Sequence, residues 1–245
     1  MTVKRTLFIS DLHLHDSRPQ VIAAFEAFLD EQHGRCEQLF ILGDLFEAWL
    51  GDDDRSELSA RVEQALSKLA MTGCSVAIMH GNRDFLIGPD FCARCTAQLI
   101  SDPLNIELYG RKVLLMHGDT LCTDDTEYLA FRARIRQTAS VQGLLSKPLA
   151  ERRQIAAQLR ADSREAMSNK AEDIMDVTYA EVEAQLAAHE ADILFHGHTH
   201  RPNKHVHTVN GAPRERYVLG DWEDNLWYLE VTPESTELIC RSISQ

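Results

Sequence analysis

The sequence predicts an α/β fold, and three observations carry that expectation. First, five short apolar runs break off abruptly in polar residues. Residues 7–9 lead into Ser10 and Asp11, 39–42 into Gly43 and Asp44, and 76–79 into His80, Gly81 and Asn82. Residues 113–116 lead into His117, Gly118 and Asp119, and 193–195 into His196, Gly197 and His198. Second, the stretches between the first three runs carry apolar residues at helical spacing: Val21, Phe25, Phe28 and Leu29, then Leu58, Val62, Leu66 and Leu69. Strand alternating with helix implies right-handed parallel crossovers, with helices covering the sheet. Third, residues 205–209, 217–219, 226–231 and 237–240 read as short strands joined by turns, an antiparallel finish.

The chain has 245 residues, enough for one domain, or one domain with an insertion, that needs no disulfide framework. Its six cysteines are scattered, and the Cys92/Cys95 pair lacks a second pair or histidines at zinc spacing, so all six read as reduced thiols. A formal charge of −13 argues against a broad basic nucleic-acid surface. The opening residues turn polar too soon for a signal peptide, and no apolar stretch approaches the roughly 18 residues of a membrane span. The expectation is a protein made and kept in the cytoplasm.

The segment 124–190 stands apart. Ile155, Leu159, Met167, Ile174, Thr178, Val182 and Leu186 keep a helical period, and Pro148 starts or breaks a helix. Residues 125–170 hold nine basic against five acidic residues, net +4 in an acidic chain. Such a segment suits a cap that attracts a phosphorylated ligand or an anionic membrane surface, although an ordinary solvated helical face has the same composition.

Carboxyl ends of parallel strands converge on a crevice, so the five polar clusters should meet. Asp11 and His13, at alternate positions, would point the same way in an extended chain. Asp44 has two carboxylate oxygens and can bridge two ions. Asn82 supplies an amide oxygen, and His117, His198 and His200 supply imidazoles. Nitrogen and oxygen donors without thiolate suit manganese, iron, zinc, nickel or cobalt. Seven ligands suffice for two ions: Asp11, His13, Asp44 and His200 around one, and Asp44, Asn82, His117 and His198 around the other. Paired ions of this kind clamp the oxygens of a phosphoryl group, which points to hydrolysis of a phosphate ester or anhydride.

The blocks Asp11-x-His13, Gly43-Asp44-x-x-Glu47, Gly81-Asn82-Arg83-Asp84, His117-Gly118-Asp119 and Gly197-His198-Thr199-His200 resemble the calcineurin-like metallophosphoesterase superfamily. That resemblance implies two packed mixed β-sheets flanked by helices, here with a helical cap inserted at 124–190 over the active site of a single domain. It also implies a catalytic set of Asp44, Asn82, Arg83, His117 and His198. Asn82 would meet both metal and phosphate, and Arg83 would steady phosphate oxygens with its planar fork. Asp84 and Asp119 would orient the ligands, and Glu47 would not be a ligand.

The longer blocks SDLHL, LGDLFEAWLGDD, HGNRDFLIG, LLMHGDTLCTDD and FHGHTHRPN are similar to the UDP-2,3-diacylglucosamine hydrolase family of lipid A synthesis. This implies a manganese pair, water attack at the α-phosphorus giving UMP and 2,3-diacylglucosamine 1-phosphate, and a peripheral position on the cytoplasmic face of the inner membrane. It places Asp125, Ser163, Met167 and Lys170, with Asn82, Arg83 and His198, at the substrate. Acyl chains would lie along the apolar residues of the insertion, among them Leu129, Phe131, Ile135 and Leu144. Arg132, Arg134, Arg136, Arg152 and Arg153 would face lipid head groups. The alternatives are a two-metal esterase for a soluble nucleotide and, from another class, an inactive metal-binding scaffold.

Overall fold

The structure, a computed structural model, describes residues 4–168 and 176–243. Two mixed sheets pack face to face. The first has the order β11-β10-β1-β2-β3-β4, in which β1 (Thr6–Ile9), β2 (Gln38–Ile41), β3 (Ser75–Met79) and β4 (Ala97–Ile100) run parallel. The hairpin of β10 (Asn225–Val231) and β11 (Thr236–Ser242) completes it antiparallel to β1. The second sheet has the order β5-β6-β7-β9-β8, formed by β5 (Leu104–Leu108), β6 (Arg111–Leu115), β7 (Ile193–His196), β8 (Asn203–Val209) and β9 (Ala212–Val218). In it β6, β7 and β9 are parallel. The five polar clusters thus follow three strands of one sheet and two of another, not one continuous sheet.

Alternation along the strands explains the two layers. Leu7 and Ile9 face the helices α1 (Pro19–Glu31), α2 (Glu57–Met71) and α3 (Pro89–Cys95), packing with Val21, Phe25, Leu66 and Phe91. Phe8, pointing the other way, meets the second sheet, where its ring centroid lies 4.8 Å from that of Phe195. Both faces of the strand are buried, so it reads as a continuous apolar run. Local signals start the helices: Pro19 and Pro89 sit in the first turns of α1 and α3, and the Ser56 hydroxyl accepts from Ser59 N–H at the start of α2. Five of the six cysteines are buried, all as free thiols, with Cys92 and Cys95 on the core-facing side of α3.

Between β6 and β7 lie α4 (Thr126–Ile135), α5 (Thr138–Leu145), α6 (Leu149–Ser168) and α7 (Tyr179–Ala188). The last belongs to the body: its Val182 and Leu186 pack with Leu114, Met116 and Leu194 on the outer face of the second sheet. It is the crossover helix of the β6–β7 pair, so only α4–α6 of the 124–190 segment stand off from the sheets. Neither α4 nor α5 buries a residue, and α6 begins directly after Pro148.

The expected lipid-facing arginine patch is largely turned inward. Arg132 pairs with Asp119 at 2.6 Å and with Asp102 at 3.4 Å. Arg136 donates to Gly81 O at 2.7 Å, and Arg152, only 4% exposed, binds the Asp53 carboxylate and Leu50 O. Arg153 reaches Asp54 at 2.9 Å. The acidic body supplies carboxylates and carbonyls within reach of these side chains, and a guanidinium at the seam keeps them rather than facing outward. Of the five, Arg134 alone lies on the exposed side without a carboxylate partner among the described residues, its guanidinium 5.9 Å from the Phe131 ring.

Candidate metal centre

All seven residues expected as ligands come from loops at the carboxyl ends of β1, β2, β3, β6 and β7, and the fold brings them together. Asp11 and His13 are not extended, as their alternate spacing suggested. Both have left-handed backbone, φ 56° and 48°, as do Asp44, His198 and His200 at 52°, 68° and 54°. Non-glycine residues rarely adopt this conformation, and five in one cluster are held there by the surrounding chain. Asp11 N–H donates to Gly43 O and His13 N–H to Asp44 O, at 3.1 and 3.0 Å, lacing the first loop to the second.

Glycines in these motifs let backbone approach carboxylate. A Cβ on Gly81 would lie 2.0 Å from Asp44 Oδ1, and one on Gly197 would lie 2.1 Å from Asp11 Oδ2. The buried Asp84 carboxylate ties the second and third loops together, accepting from Leu45 N–H and Gly81 N–H at 2.8 Å each. Burial, with the Asp44 charge beside it, pushes the Asp84 carboxyl up to about 6.

The histidines are aimed by what stands behind them. His13 Nδ1 lies 3.3 Å from Glu47, His117 Nδ1 lies 2.9 Å from Leu42 O, and His200 Nδ1 lies 3.7 Å from Asp221. Their Nε2 atoms consequently turn inward. Those of His13 and His200 approach to 3.3 Å, and Asp44 Oδ2 lies 3.8 Å from His13 Nε2 and 3.9 Å from His117 Nε2. Asn82 Oδ1 sits 2.9 Å from His117 Nε2 and 3.0 Å from His198 Nδ1. Glu47 and Asp221 are therefore orienting groups; Asp221 lies in none of the strand-end motifs, and only its place behind His200 reveals it.

Two sets of donor atoms, one from Asp11, His13 and His200 and one from Asp11, Asp44 and His117, each have all their atoms within 4.8 Å of the others in the set. Asp11 Oδ1 is buried with no hydrogen-bond partner, and opposed imidazole nitrogens give no mutual satisfaction when both are acceptors. A cation answers both observations, and the mixed nitrogen and oxygen donors fit a divalent transition metal. Asp11 belongs to both sets, and Asp44 Oδ2 lies nearly equidistant from the Nε2 atoms of His13 and His117.

Arg83 N–H donates to Asp44 Oδ1 at 2.8 Å, which fixes the residue at the cluster's rim. Among the described residues its guanidinium has no hydrogen-bond or ion-pair partner, so it is available to an anion. On the other side Tyr128 of α4 donates to Asp119 at 2.5 Å, and its ring centroid lies 6.1 Å from that of His198. Burial and the Asp119 charge push the Tyr128 phenol well above its usual range, so it stays a donor. Of the other expected substrate residues, Asp125 caps α4, accepting from Tyr128 N–H at 3.1 Å, and Ser163 is half-buried on α6. Met167 lies on the same helix, and Lys170 lies outside the described residues.

Comparison with known proteins supplies the family. The calcineurin-like phosphoesterase family matches residues 4–202. The chain is 53% identical to the UDP-2,3-diacylglucosamine hydrolase of Marinobacter nauticus, over 93% of each chain. It is 48% identical to that of Pseudomonas aeruginosa, over 92% of this chain and 94% of the other. The Salmonella arizonae hydrolase is 47% identical over 96% and 98%.

Proposed function

Because the chain belongs to the calcineurin-like phosphoesterases, and among them to the UDP-2,3-diacylglucosamine hydrolases, we propose that it hydrolyses UDP-2,3-diacylglucosamine in lipid A synthesis, at the pyrophosphate, giving UMP and 2,3-diacylglucosamine 1-phosphate. The observation that carries the chemistry is the convergence of four imidazoles, two carboxylates and one amide oxygen beside a guanidinium with no partner among the described residues.

Asp11, His13, Asp44 and His200 would hold one manganese ion, and Asp44, Asn82, His117 and His198 the other. When bound, such a pair supplies Lewis acidity toward phosphoryl oxygens and toward water. The chain's own residues position the substrate. The Arg83 fork takes oxygens of the pyrophosphate bidentately, and the Asn82 amide meets the phosphoryl group under attack. Glu47, Leu42 O and Asp221 keep three imidazoles in one orientation. Tyr128 and Arg132, through Asp119, close α4 against the site, reducing the water around the reacting anion.

The lipid half belongs between body and cap. Leu129, Phe131, Ile135, Val141, Leu144, Ile155 and Leu159 of α4–α6 are all half-buried and none fully buried, and each CH₂ an acyl chain hides there contributes about 0.8 kcal/mol. Ser163, Met167 and Lys170 would meet the sugar and its phosphate, with Asp125 at the start of α4. On this reading the protein works as a peripheral protein at the cytoplasmic face of the inner membrane, and the exposed Arg134 supports contact with anionic head groups. No helix among the described residues is long and apolar enough to cross a membrane.

Incubation of manganese-loaded protein with UDP-2,3-diacylglucosamine, with bis-p-nitrophenyl phosphate as control, tests the reading. Release of UMP supports it; hydrolysis of the generic ester alone would leave a phosphoesterase for some other substrate.

A further inference from the structure

A second concavity adjoins the metal centre and is used by none of the roles above. It has a volume of about 310 Å³ and lies where the 199–203 loop meets the start of β8 and the end of β9. Thr199, between the candidate ligands His198 and His200, forms part of its wall, so it begins one residue from the cluster. The Thr199 hydroxyl oxygen is buried and has no hydrogen-bond partner.

Arg216 lines the same space and is only 2% exposed. Its guanidinium meets His207 Nε2 and His196 Nε2, at 3.2 Å each, and lies 5.7 Å from the Tyr179 ring centroid. The Asp176 carboxylate also lines this space, paired with Arg201 at 2.6 Å, and its charge reaches Arg216. Asn203 and His205 add hydrogen-bonding groups, while Pro202 and Val218 add apolar wall. A planar cationic fork, a carboxylate, neutral polar groups and small apolar surfaces together suit a flat heterocycle, whose carbonyl oxygens accept from the fork and whose N–H donates to the carboxylate. The volume is at the lower end of small-molecule sites, adequate for a nucleoside and too small for an acyl chain pair.

We propose that this pocket takes the uridine half of the substrate and keeps UMP after cleavage. The inference rests on the pyrophosphate reading above and extends it, since that reading accounts for the lipid and the phosphates but gives the nucleoside no place.

Binding of UMP, uridine and inorganic phosphate to the manganese-loaded full chain, measured by calorimetry, tests it. UMP binds at least about tenfold tighter than phosphate, the increment of one or two well-formed hydrogen bonds. Asn203→Ala and His205→Ala each remove most of that increment, with the manganese content, counted by atomic absorption, showing that the cluster is filled. Photocrosslinking with 5-iodouridine 5′-monophosphate labels the peptide containing residues 199–205. Wild-type protein that cleaves UDP-2,3-diacylglucosamine but binds UMP no better than phosphate overturns the pocket alone. The same holds if both variants bind UMP as wild type does, or if the crosslink maps elsewhere. Wild-type protein that does not cleave the nucleotide lipid overturns the reading beneath and the pocket with it.

Discussion

Three imidazoles of the cluster have their outer nitrogens set against Glu47, Leu42 O and Asp221, so each ring has one rotation available to it. Removing such a support costs roughly 10- to 100-fold in metal affinity or activity. Glu47→Ala lowers manganese affinity on that scale in a metal titration, while the thermal transition of the metal-free protein stays close to wild type. Asp44→Ala is more severe, since one side chain serves both halves of the cluster: the folded variant holds less metal by atomic absorption and loses nearly all turnover. Arg83→Ala acts on substrate instead, with metal content unchanged and kcat/KM lowered by about 10- to 100-fold, the scale of a charge-assisted hydrogen bond; Lys restores only part of it. The seven clustered residues were legible because each lies within a few residues past an apolar run that becomes a strand. Glu47 was visible in its block but its role behind His13 was not, and Asp221 was not visible at all, because it lies outside the strand-end motifs and only the ring it faces gives it a role. The left-handed backbone at Asp11 and His13 was also invisible, since an alternate pair of polar residues reads the same whether extended or coiled.

At the scale of the element, α4 is fastened to the body by polar contacts, with no buried apolar residue of its own. Tyr128 and Arg132 both end on Asp119, and Arg136 ends on Gly81 O beside the third loop. Arg132→Glu sets two carboxylates against each other, so α4 comes away: turnover falls, proteolysis within 126–136 quickens, and the thermal transition of the body changes little. Arg134→Glu leaves α4 docked and weakens sedimentation with anionic vesicles; undiminished sedimentation would remove Arg134 from the membrane contact. Charge counting located the basic segment, yet it could not tell an arginine facing solvent from one reaching a carbonyl across a seam. That distinction depends on Asp102, Asp119 and Asp53, which are distant in sequence from the arginines they engage.

For the whole molecule, two sheets meet through Phe8, Phe40, Phe195 and Tyr217, and the metal loops emerge where that interface ends. Phe195→Ala empties the centre of this layer and costs about 3 to 5 kcal/mol in chemical denaturation. Metal links the same loops from outside the core. Stripping the metal with a chelator therefore abolishes turnover and lowers the melting temperature by roughly 5 to 10 °C, when the ion had stood about 100-fold above its dissociation constant. The parallel strands and their helices were readable from apolar runs and helical spacing. The division into two sheets came from the family resemblance alone, because a strand buried on both faces shows no alternation, and nothing in 226–240 says that β10 returns to lie beside β1.

Hydrolysis of UDP-2,3-diacylglucosamine by the manganese-loaded protein in ¹⁸O water, read by mass spectrometry of both products, bears most directly on the account. Label in UMP, with none in the lipid phosphate, is the result expected for attack at the α-phosphorus. Label in the lipid phosphate would contradict that direction of attack, and no cleavage at all would contradict the assignment of this substrate to the site.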